Sequence, residues 1–279
     1  MTSRIHARRA VAAFVTAVVL VTGGVVGTSG ASAAPPLPAK MAAMGDSISQ
    51  AIMTCSSLRT CTSNSWTVGT TASVNSHASR LRAMGAQLTT YNNAVTSVKA
   101  AGLPAQASAS AAQGATYVTV QIGANDACTS TVAGMTPTAS FDASVRSALA
   151  TLAASPAQPD IFVSSIPNIK RLWEVNRTSS SARLTWALLG LCRSMLANPS
   201  STSATDMARR DAVQARVNEF NGVLAAACAA TAKCVWDNYA VANYTFTRAD
   251  ISTRDYFHPS IAGQTALANV TWAASQWVR

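Results

Sequence analysis

The stretch KMAAMGDS, residues 40–47, places a short apolar run directly before a Gly-Asp-Ser turn. Residues 40–44 have the length and apolarity of a strand buried on both faces. Glycine permits a sharp turn at the end of such a strand, and the residues after Ser47 are compatible with a helix. A serine held between a strand and a helix is a candidate nucleophile, although Gly-Asp-Ser alone is a weak signal.

The rest of the chain alternates strand patterns with helical patterns. Further strands are predicted at residues 88–92, 117–122, 161–166 and 234–237, and helices at 76–84, 103–113, 141–154, 205–231 and after Pro259. In the longest helix, Val213, Val217, Phe220 and Leu224 recur at helical spacing and share one face. Such alternation predicts a parallel sheet that is covered by helices on both faces.

The first 33 residues have the pattern of a secretory signal peptide. A basic head with Arg4, Arg8 and Arg9 precedes the apolar residues 10–26, and the small residues 31–33 offer a cleavage site. Residues 34–39 form a short proline-rich lead-in, and a single domain is expected over residues 40–279. The sequence therefore predicts a secreted protein with no stable membrane span.

Charge and composition give no indication of nucleic-acid binding. Removing residues 1–33 shortens the chain from 279 to 246 residues and lowers the formal charge from +10 to +7. The basic residues are dispersed, without the concentrated patch and aromatic platforms that nucleic-acid binding needs. We expect no nucleic-acid partner and a monomer.

The six cysteines of an exported chain indicate three disulfides. Cys55 and Cys61 are six residues apart, as are Cys228 and Cys234, and this spacing favours local bridges. That leaves Cys128 to pair with Cys192. No C-x-x-C pair or histidine cluster is present, so no metal is expected.

Polar residues follow three of the predicted strands, at the sheet edge where sites of open parallel sheets gather. Ser47 ends the first strand, Gly123-Ala124-Asn125-Asp126 ends the third, and Asp255-Tyr256-Phe257-His258 lies before the last helix. A serine nucleophile needs a base, and an imidazole base needs a partner on its second nitrogen. His258 with Asp255 supplies both, whereas His77 has no acid nearby in sequence.

These three motifs, in this order, resemble the SGNH hydrolases, also called the GDSL lipase/esterase family, over residues 40–275. The resemblance implies a flavodoxin-like three-layer α/β/α sandwich with a five-stranded parallel sheet. It implies ester hydrolysis through an acyl-serine, with Ser47 as nucleophile, His258 as base and Asp255 as its orienting acid. Hydrolysis through an acyl-serine would need no organic cofactor. It assigns the oxyanion hole to Asn125, the Ser47 N–H and a glycine N–H. Gly123 supports that loop, and Asp46 and Asp126 are read as carboxylates that shape the turns.

The family has one more motif, Asn-x-Ala-x-x-Gly, which provides the glycine N–H of the oxyanion hole. This sequence departs from the family at that glycine. Residues 92–97, NNAVTS, resemble Asn-x-Ala-x-x-Gly, so that Ser97 stands at the glycine position. Serine keeps the backbone N–H but reaches a positive φ less easily than glycine. The sequence therefore leaves two possibilities, a third oxyanion donor at Ser97 or a weakened hole.

Two stretches are expected to be insertions, residues 55–74 and residues 167–203. The second is unusually apolar, and its predicted helix turns Leu184, Leu191 and Met195 toward the core. Its other large apolar residues cannot all share that face; they are Trp173, Trp186, Leu188, Leu189 and Leu196. A helix with two apolar faces is either deeply buried or covers a site, so an acyl-binding cap and a packed structural helix both remain open.

The sequence predicts a secreted serine ester hydrolase that acts on a lipid or an acylated sugar. The alternatives are a carbohydrate acetyl esterase and a catalytically weak envelope-binding protein, in which Ser97 spoils the oxyanion hole.

Overall fold

Strand β1 (Lys40–Gly45) lies inside the sheet, and all of its residues after Lys40 are buried. The computed structural model describes residues 1–2, 36–56 and 58–278. Within these residues, β1 pairs in parallel with β2 (Thr89–Asn92) and with β3 (Tyr117–Gln121). Strands β4 (Asp160–Val163) and β5 (Cys234–Trp236) extend the parallel sheet, giving the order β2-β1-β3-β4-β5. This is the flavodoxin-like order, as expected.

Helices cover both faces of the sheet. In the described part of the chain they are α1 (His77–Ala83), α2 (Leu103–Ala112), α3 (Ala124–Ala127), α4 (Thr138–Ala153), α5 (Ile169–Asn176), α6 (Ser180–Leu189), α7 (Arg193–Leu196), α8 (Ala204–Ala229), α9 (Ala240–Asn243) and α10 (Ile261–Ala273). Ala42 and Met44 of β1 join the core formed with α2, α4 and α8. Met41 and Ala43 point to the other face, where α1 and α10 complete a second core. The predicted three-layer α/β/α sandwich is therefore confirmed.

No helix follows Ser47 directly, contrary to the expectation from the sequence. Residues 47–53 form hydrogen-bonded turns, and the first α-helix of the described residues begins at His77. Ala51 and Met53 have φ values of +50° and +65°, and this left-handed backbone interrupts any helix. The nucleophile candidate consequently lies on an irregular loop.

All three expected disulfides are present. Cys55–Cys61 closes the loop after the Ser47 turn, and Cys228–Cys234 joins the end of α8 to β5. Cys128–Cys192 connects the residue after α3 with the residue before α7. The segment 167–203 is thereby fixed to the loop that follows β3.

The segment 167–203 folds as three helices, α5 to α7. Trp173 and Trp186 are buried in the core, as is Met195. The prediction that Leu184 faces the core was wrong, because α6 buries Ala182 and Trp186, one turn apart, and turns Leu184 to solvent.

The expected signal peptide lies outside the described residues, apart from residues 1–2. Contacts group residues 34–279 into one compact unit. Within the described ranges, no helix has both the length and the apolarity to span a bilayer.

Candidate active site

The turn that carries Ser47 is fixed at its first residue, Gly45. This glycine has a φ of +135°, and a Cβ there would lie 2.1 Å from the carbonyl oxygen of Gln121. The buried Gln106 side chain of α2 binds both backbone groups of Gly45: Oε1 accepts from its N–H at 2.7 Å, and Nε2 donates to its C=O at 2.9 Å. Any larger residue at position 45 would displace the turn.

The side chain of Asp46, and side chains from two other elements, hold the residues that flank Ser47. The Oδ1 of Asp46 accepts from the Ile48 N–H at 2.9 Å, and Nε2 of Gln264 on α10 donates to the Ile48 carbonyl at 2.9 Å. Asn92 at the end of β2 donates to the Ser49 carbonyl at 3.0 Å. The loop is irregular but hydrogen-bonded on several sides, which positions the Ser47 hydroxyl.

Ser47, His258 and Asp255 form a continuous hydrogen-bonded chain. Ser47 Oγ lies 2.8 Å from His258 Nε2, and His258 Nδ1 lies 2.5 Å from Asp255 Oδ2. An ionised carboxylate only accepts hydrogen bonds, so the Nδ1 proton belongs to histidine and Nε2 accepts from the serine hydroxyl. This geometry matches the nucleophile, base and orienting acid of serine hydrolases.

Asp255 is held ionised in a buried position. Burial, the largest single effect, would raise the pKa of this carboxyl, but the hydrogen bond and charge of His258, together with two backbone N–H groups, lower it. The N–H groups of Phe257 and His258 also donate to Oδ1, at 2.9 and 3.1 Å. The three-residue spacing from Asp255 to His258 therefore makes one compact turn that contains both base and acid.

The loop after β3 is connected to the loop that contains Ser97. Asn125 Nδ2 donates to the Val98 carbonyl at 2.9 Å, and Asp126 Oδ2 accepts from the Ala100 N–H at 2.9 Å. Ser97 is exposed, with a φ of +61°, and it is not among the residues that line the pocket at Ser47. Neither its N–H nor that of Ser47 has a hydrogen-bond acceptor among the described residues. Both are free to donate to a ligand.

Gly123, Asp46 and Asp126 are the other residues of these loops that the sequence singled out. Gly123 has a φ of +121°, and a Cβ there would meet Ile166 Cδ1 at 2.4 Å. Burial raises the pKa of Asp46 to about 6, against the lowering effects of the Ile48 N–H and His258. Burial also raises the pKa of Asp126. Asp46 accepts the Ile48 N–H within its own turn, whereas Asp126 accepts the Ala100 N–H and so joins two loops.

An apolar pocket opens beside Ser47 and His258. Its walls come from the 167–172 segment, the loop before His258 and the loop after β3. The apolar lining residues are Ile48, Ala124, Pro167, Ile169, Leu172, Phe246, Ile251, Phe257 and Pro259. Asn125 also lines the pocket, so that its amide lies at the same cavity as the serine.

His77 takes no part in this site. It is buried in the second core, where Nδ1 lies 2.9 Å from the Tyr117 hydroxyl and Nε2 lies 2.8 Å from Thr271 Oγ1. Among the residues that the structure describes, no group of three or more His, Cys, Asp or Glu could hold a metal ion.

Sequence reasoning missed Gln106 and Gln264, the two glutamines that fix the Ser47 turn. Both are buried polar residues on otherwise apolar helix faces, next to Leu103 and Ala107 in α2 and to Leu267 in α10. A glutamine at an inward helical position is the signal that could have identified them, because a buried amide needs partners.

A family model, the GDSL-like lipase/acylhydrolase, matches residues 41–271 and so spans every element of the site. The chain belongs to the GDSL-like lipase/acylhydrolase family. It is therefore a carboxylic ester hydrolase, and the resemblance seen in the sequence is confirmed.

Solved structures agree with the fold of this family member. LAE5, an alpha/beta hydrolase enzyme from the metagenome of Lake Arreo, Spain, has a TM-score of 0.56 at 16% identity, covering 86% of this chain and 96% of that chain. TesA has a TM-score of 0.50 at 17% identity, covering 84% of this chain and 97% of that chain. At such identities the likeness shows the fold alone. No curated protein matches the sequence significantly.

Proposed function

We propose that this GDSL-family hydrolase is a secreted enzyme that cleaves esters of apolar acyl groups through an acyl-serine intermediate. The observation that supports it most directly is the hydrogen-bonded chain from Ser47 through His258 to Asp255, opening on an apolar pocket. The three disulfides are compatible with an oxidising compartment.

In the first step, Ser47 Oγ attacks the ester carbonyl carbon while His258 Nε2 takes the hydroxyl proton. The ionised Asp255 stabilises the imidazolium that forms. The tetrahedral intermediate then collapses, and His258 returns the proton to the departing alcohol. His258 next takes a proton from water as the water oxygen attacks the acyl-serine carbonyl carbon. The bond from that carbon to Ser47 Oγ then breaks, His258 returns the proton to Oγ, and the carboxylic acid leaves.

The oxyanion of both intermediates needs donors, and we assign this role to Ser47 N–H, Ser97 N–H and Asn125 Nδ2. The two backbone groups have no acceptor among the described residues, and Asn125 lines the pocket while anchoring the Ser97 loop. Preorganised donors of this kind each contribute about 100- to 1,000-fold in rate.

The apolar lining of the pocket indicates the class of ester that is cleaved. Nearly all of its walls are apolar, from Leu172 on α5 to Phe246 and Phe257 on the loop before the last helix. Such a lining suits a hydrocarbon chain, whereas recognition of a sugar calls for several polar groups in the wall. We therefore favour a lipid or a simple acyl ester as substrate.

Hydrolysis of p-nitrophenyl acetate, butyrate and palmitate, and of acetylated xylan, tests this proposal. We expect Ser47→Ala to lower kcat on the order of a million-fold, with KM little changed. Ser49→Ala is the matched control, because Ser49 Oγ bonds to the Met44 carbonyl rather than to His258, and it should retain most of the activity.

Three results would contradict the proposal. Equal activity of Ser47→Ala and the wild type would exclude the acyl-serine. Turnover of acetylated xylan alone would favour the carbohydrate esterase. Polymer binding that survives Ser47→Ala, with no turnover by the wild type, would favour the envelope-binding protein.

A further inference from the structure

The outward face of helix α6 is apolar and exposed. Leu184, Leu188 and Leu189 are 61%, 76% and 57% exposed, and Ala187 beside them is also exposed. Leu184 and Leu188 are one helical turn apart and share the side opposite the buried Ala182 and Trp186. Three large leucines grouped on one short helix are unusual on a soluble surface and indicate an interaction site.

The charge around this face has a single sign. Residues 175–205 contain three arginines, Arg177, Arg183 and Arg193, and no aspartate or glutamate. None of the three forms a salt bridge with a described residue. A cluster of unpaired cations beside an apolar face is complementary to a surface that is apolar inside and anionic at its boundary.

A cavity next to the leucines contains two of these arginines. Arg183 and Arg193 line it together with Trp186, Gly190, Leu191 and Asn198. The only hydrogen bond of the Arg183 guanidinium among the described residues goes to the Arg177 carbonyl, at 3.2 Å. Unneutralised guanidinium groups in a surface cavity are suited to bind the phosphate of a lipid headgroup.

Helix α6 and the residues just after it are connected to two loops of the candidate active site. Trp186 Nε1 donates to the carbonyl of Tyr256, between Asp255 and His258, at 3.0 Å. The disulfide Cys128–Cys192 fixes the chain just beyond α6 to the loop after α3. Helix α6 therefore packs with its buried face against the loop that contains Asp255 and His258.

We propose that the outward face of α6 docks on an anionic lipid surface, with Leu184, Leu188 and Leu189 entering the acyl region and the arginines binding headgroup phosphates. This inference rests on the proposed function, since it names an aggregated lipid as the form in which the ester is presented. Docking itself needs no catalysis, and it can be measured without turnover.

The direct test is vesicle binding by the chain from Ala34 onward, which contains the whole compact unit. The apolar residues 10–26 are omitted because they would enter a bilayer on their own. The Ser47→Ala background prevents hydrolysis of the vesicles. Co-sedimentation with phosphatidylglycerol/phosphatidylcholine vesicles, compared with pure phosphatidylcholine, gives the partition coefficient and its dependence on charge and salt.

We expect binding to the phosphatidylglycerol vesicles, weakened by salt. Leu188→Ser should lower the partition coefficient about tenfold. Arg183→Gln and Arg193→Gln should each lower it about fivefold, on anionic vesicles only. Met84→Ser is the matched control: Met84 is 47% exposed, follows α1 on the opposite face of the sheet, and should leave binding unchanged.

With Ser47 intact, Leu188→Ser should hydrolyse soluble p-nitrophenyl acetate as the wild type does but lose activity on dispersed phospholipid. Failure of both proteins on p-nitrophenyl acetate, butyrate and palmitate would refute the proposed function and leave the docking result unaffected. Vesicle binding that is absent, or equal in Leu188→Ser and the parent, would overturn docking. A dimer that Leu188→Ser dissociates in size-exclusion chromatography would overturn it too, by assigning the face to a second copy.

Discussion

Ser97 occupies a left-handed backbone conformation, with a φ of +61°, at the position where the family pattern has glycine. The serine has therefore kept the conformation that a glycine would adopt, at a cost of about 1 kcal/mol. Its N–H has no acceptor among the described residues. The sequence left open whether this position still supplies a donor, and the backbone supports the view that it does.

Substitutions at position 97 test that view. Ser97→Gly should keep kcat and change the free energy of unfolding by no more than about 1 kcal/mol, because glycine adopts the same φ. Ser97→Val should lower kcat about 10- to 100-fold with KM less affected, because a β-branched residue resists a positive φ and displaces the N–H. Steady-state kinetics of both variants check this. If Ser97→Val had wild-type kcat, position 97 would contribute no oxyanion donor.

Helix α2 contributes to the site through a single side chain. Gln106 satisfies both the N–H and the C=O of Gly45, although α2 lies beside the sheet rather than in the catalytic loops. Helix α10 acts in the same way, since Gln264 binds the Ile48 carbonyl and the Trp66 N–H. Helices of both outer layers thus determine the geometry of the Ser47 loop.

Gln106→Leu should show how strongly the Ser47 turn depends on α2. The substitution leaves the buried N–H of Gly45 without a partner, whereas its C=O keeps the hydrogen bond from the Val95 N–H. We therefore expect the free energy of unfolding to fall by about 1–3 kcal/mol. We also expect kcat to fall more than KM changes. Urea denaturation and kinetics provide the two measurements. Gln113→Leu, at the end of the same helix, is the control, since Gln113 bonds mainly to the side chain of Asn93 and should affect kcat little.

Across the whole molecule, His77 joins helix α1, strand β3 and helix α10. Thr271 Oγ–H donates to the Leu267 carbonyl at 2.6 Å, so Thr271 accepts from His77 Nε2–H, and the Tyr117 hydroxyl donates to Nδ1. A neutral imidazole satisfies all of these contacts. Burial lowers the pKa of His77 to about 3, from 6.5.

This burial predicts a loss of stability in mild acid. Below pH 6.5 the unfolded chain takes up the His77 proton before the folded chain does, so stability decreases as the pH falls from 6.5 toward 3. Asp46 acts in the opposite direction between pH 6 and 3.8, because its raised pKa makes the folded chain bind the proton first. The wild-type profile sums these two contributions with those of the other carboxyls whose pKa is shifted, such as Asp126 and Asp255.

Comparison with His77→Gln isolates the histidine, since Asp46 titrates in both proteins. Between pH 7 and pH 5 the wild type should lose about 2 kcal/mol more free energy of unfolding than His77→Gln does. Chemical denaturation at the two pH values measures the difference. Parallel profiles for the two proteins would mean that His77 titrates normally in the folded state.

The amino-acid sequence by itself determined the strands, their alternation with helices and the three polar motifs at the strand ends. These features depend on local apolar periodicity and on turn residues, which the chain encodes over a few neighbouring positions. The Asp255–His258 turn belongs to the same class, because its hydrogen bonds span only three residues.

Only the tertiary structure decided which residues that are distant in sequence come into contact. The 2.8 Å contact between Ser47 and His258 joins residues 211 positions apart, and Gln106 reaches Gly45 across 61. The tertiary structure also decided which face of α6 is buried. Both faces are apolar, so their periodicity could not distinguish them. Ala182 and Trp186 pack into the core, and Leu184 and Leu188 consequently face solvent. Packing against distant elements selects one face among several that are equally apolar, and that selection is not encoded locally.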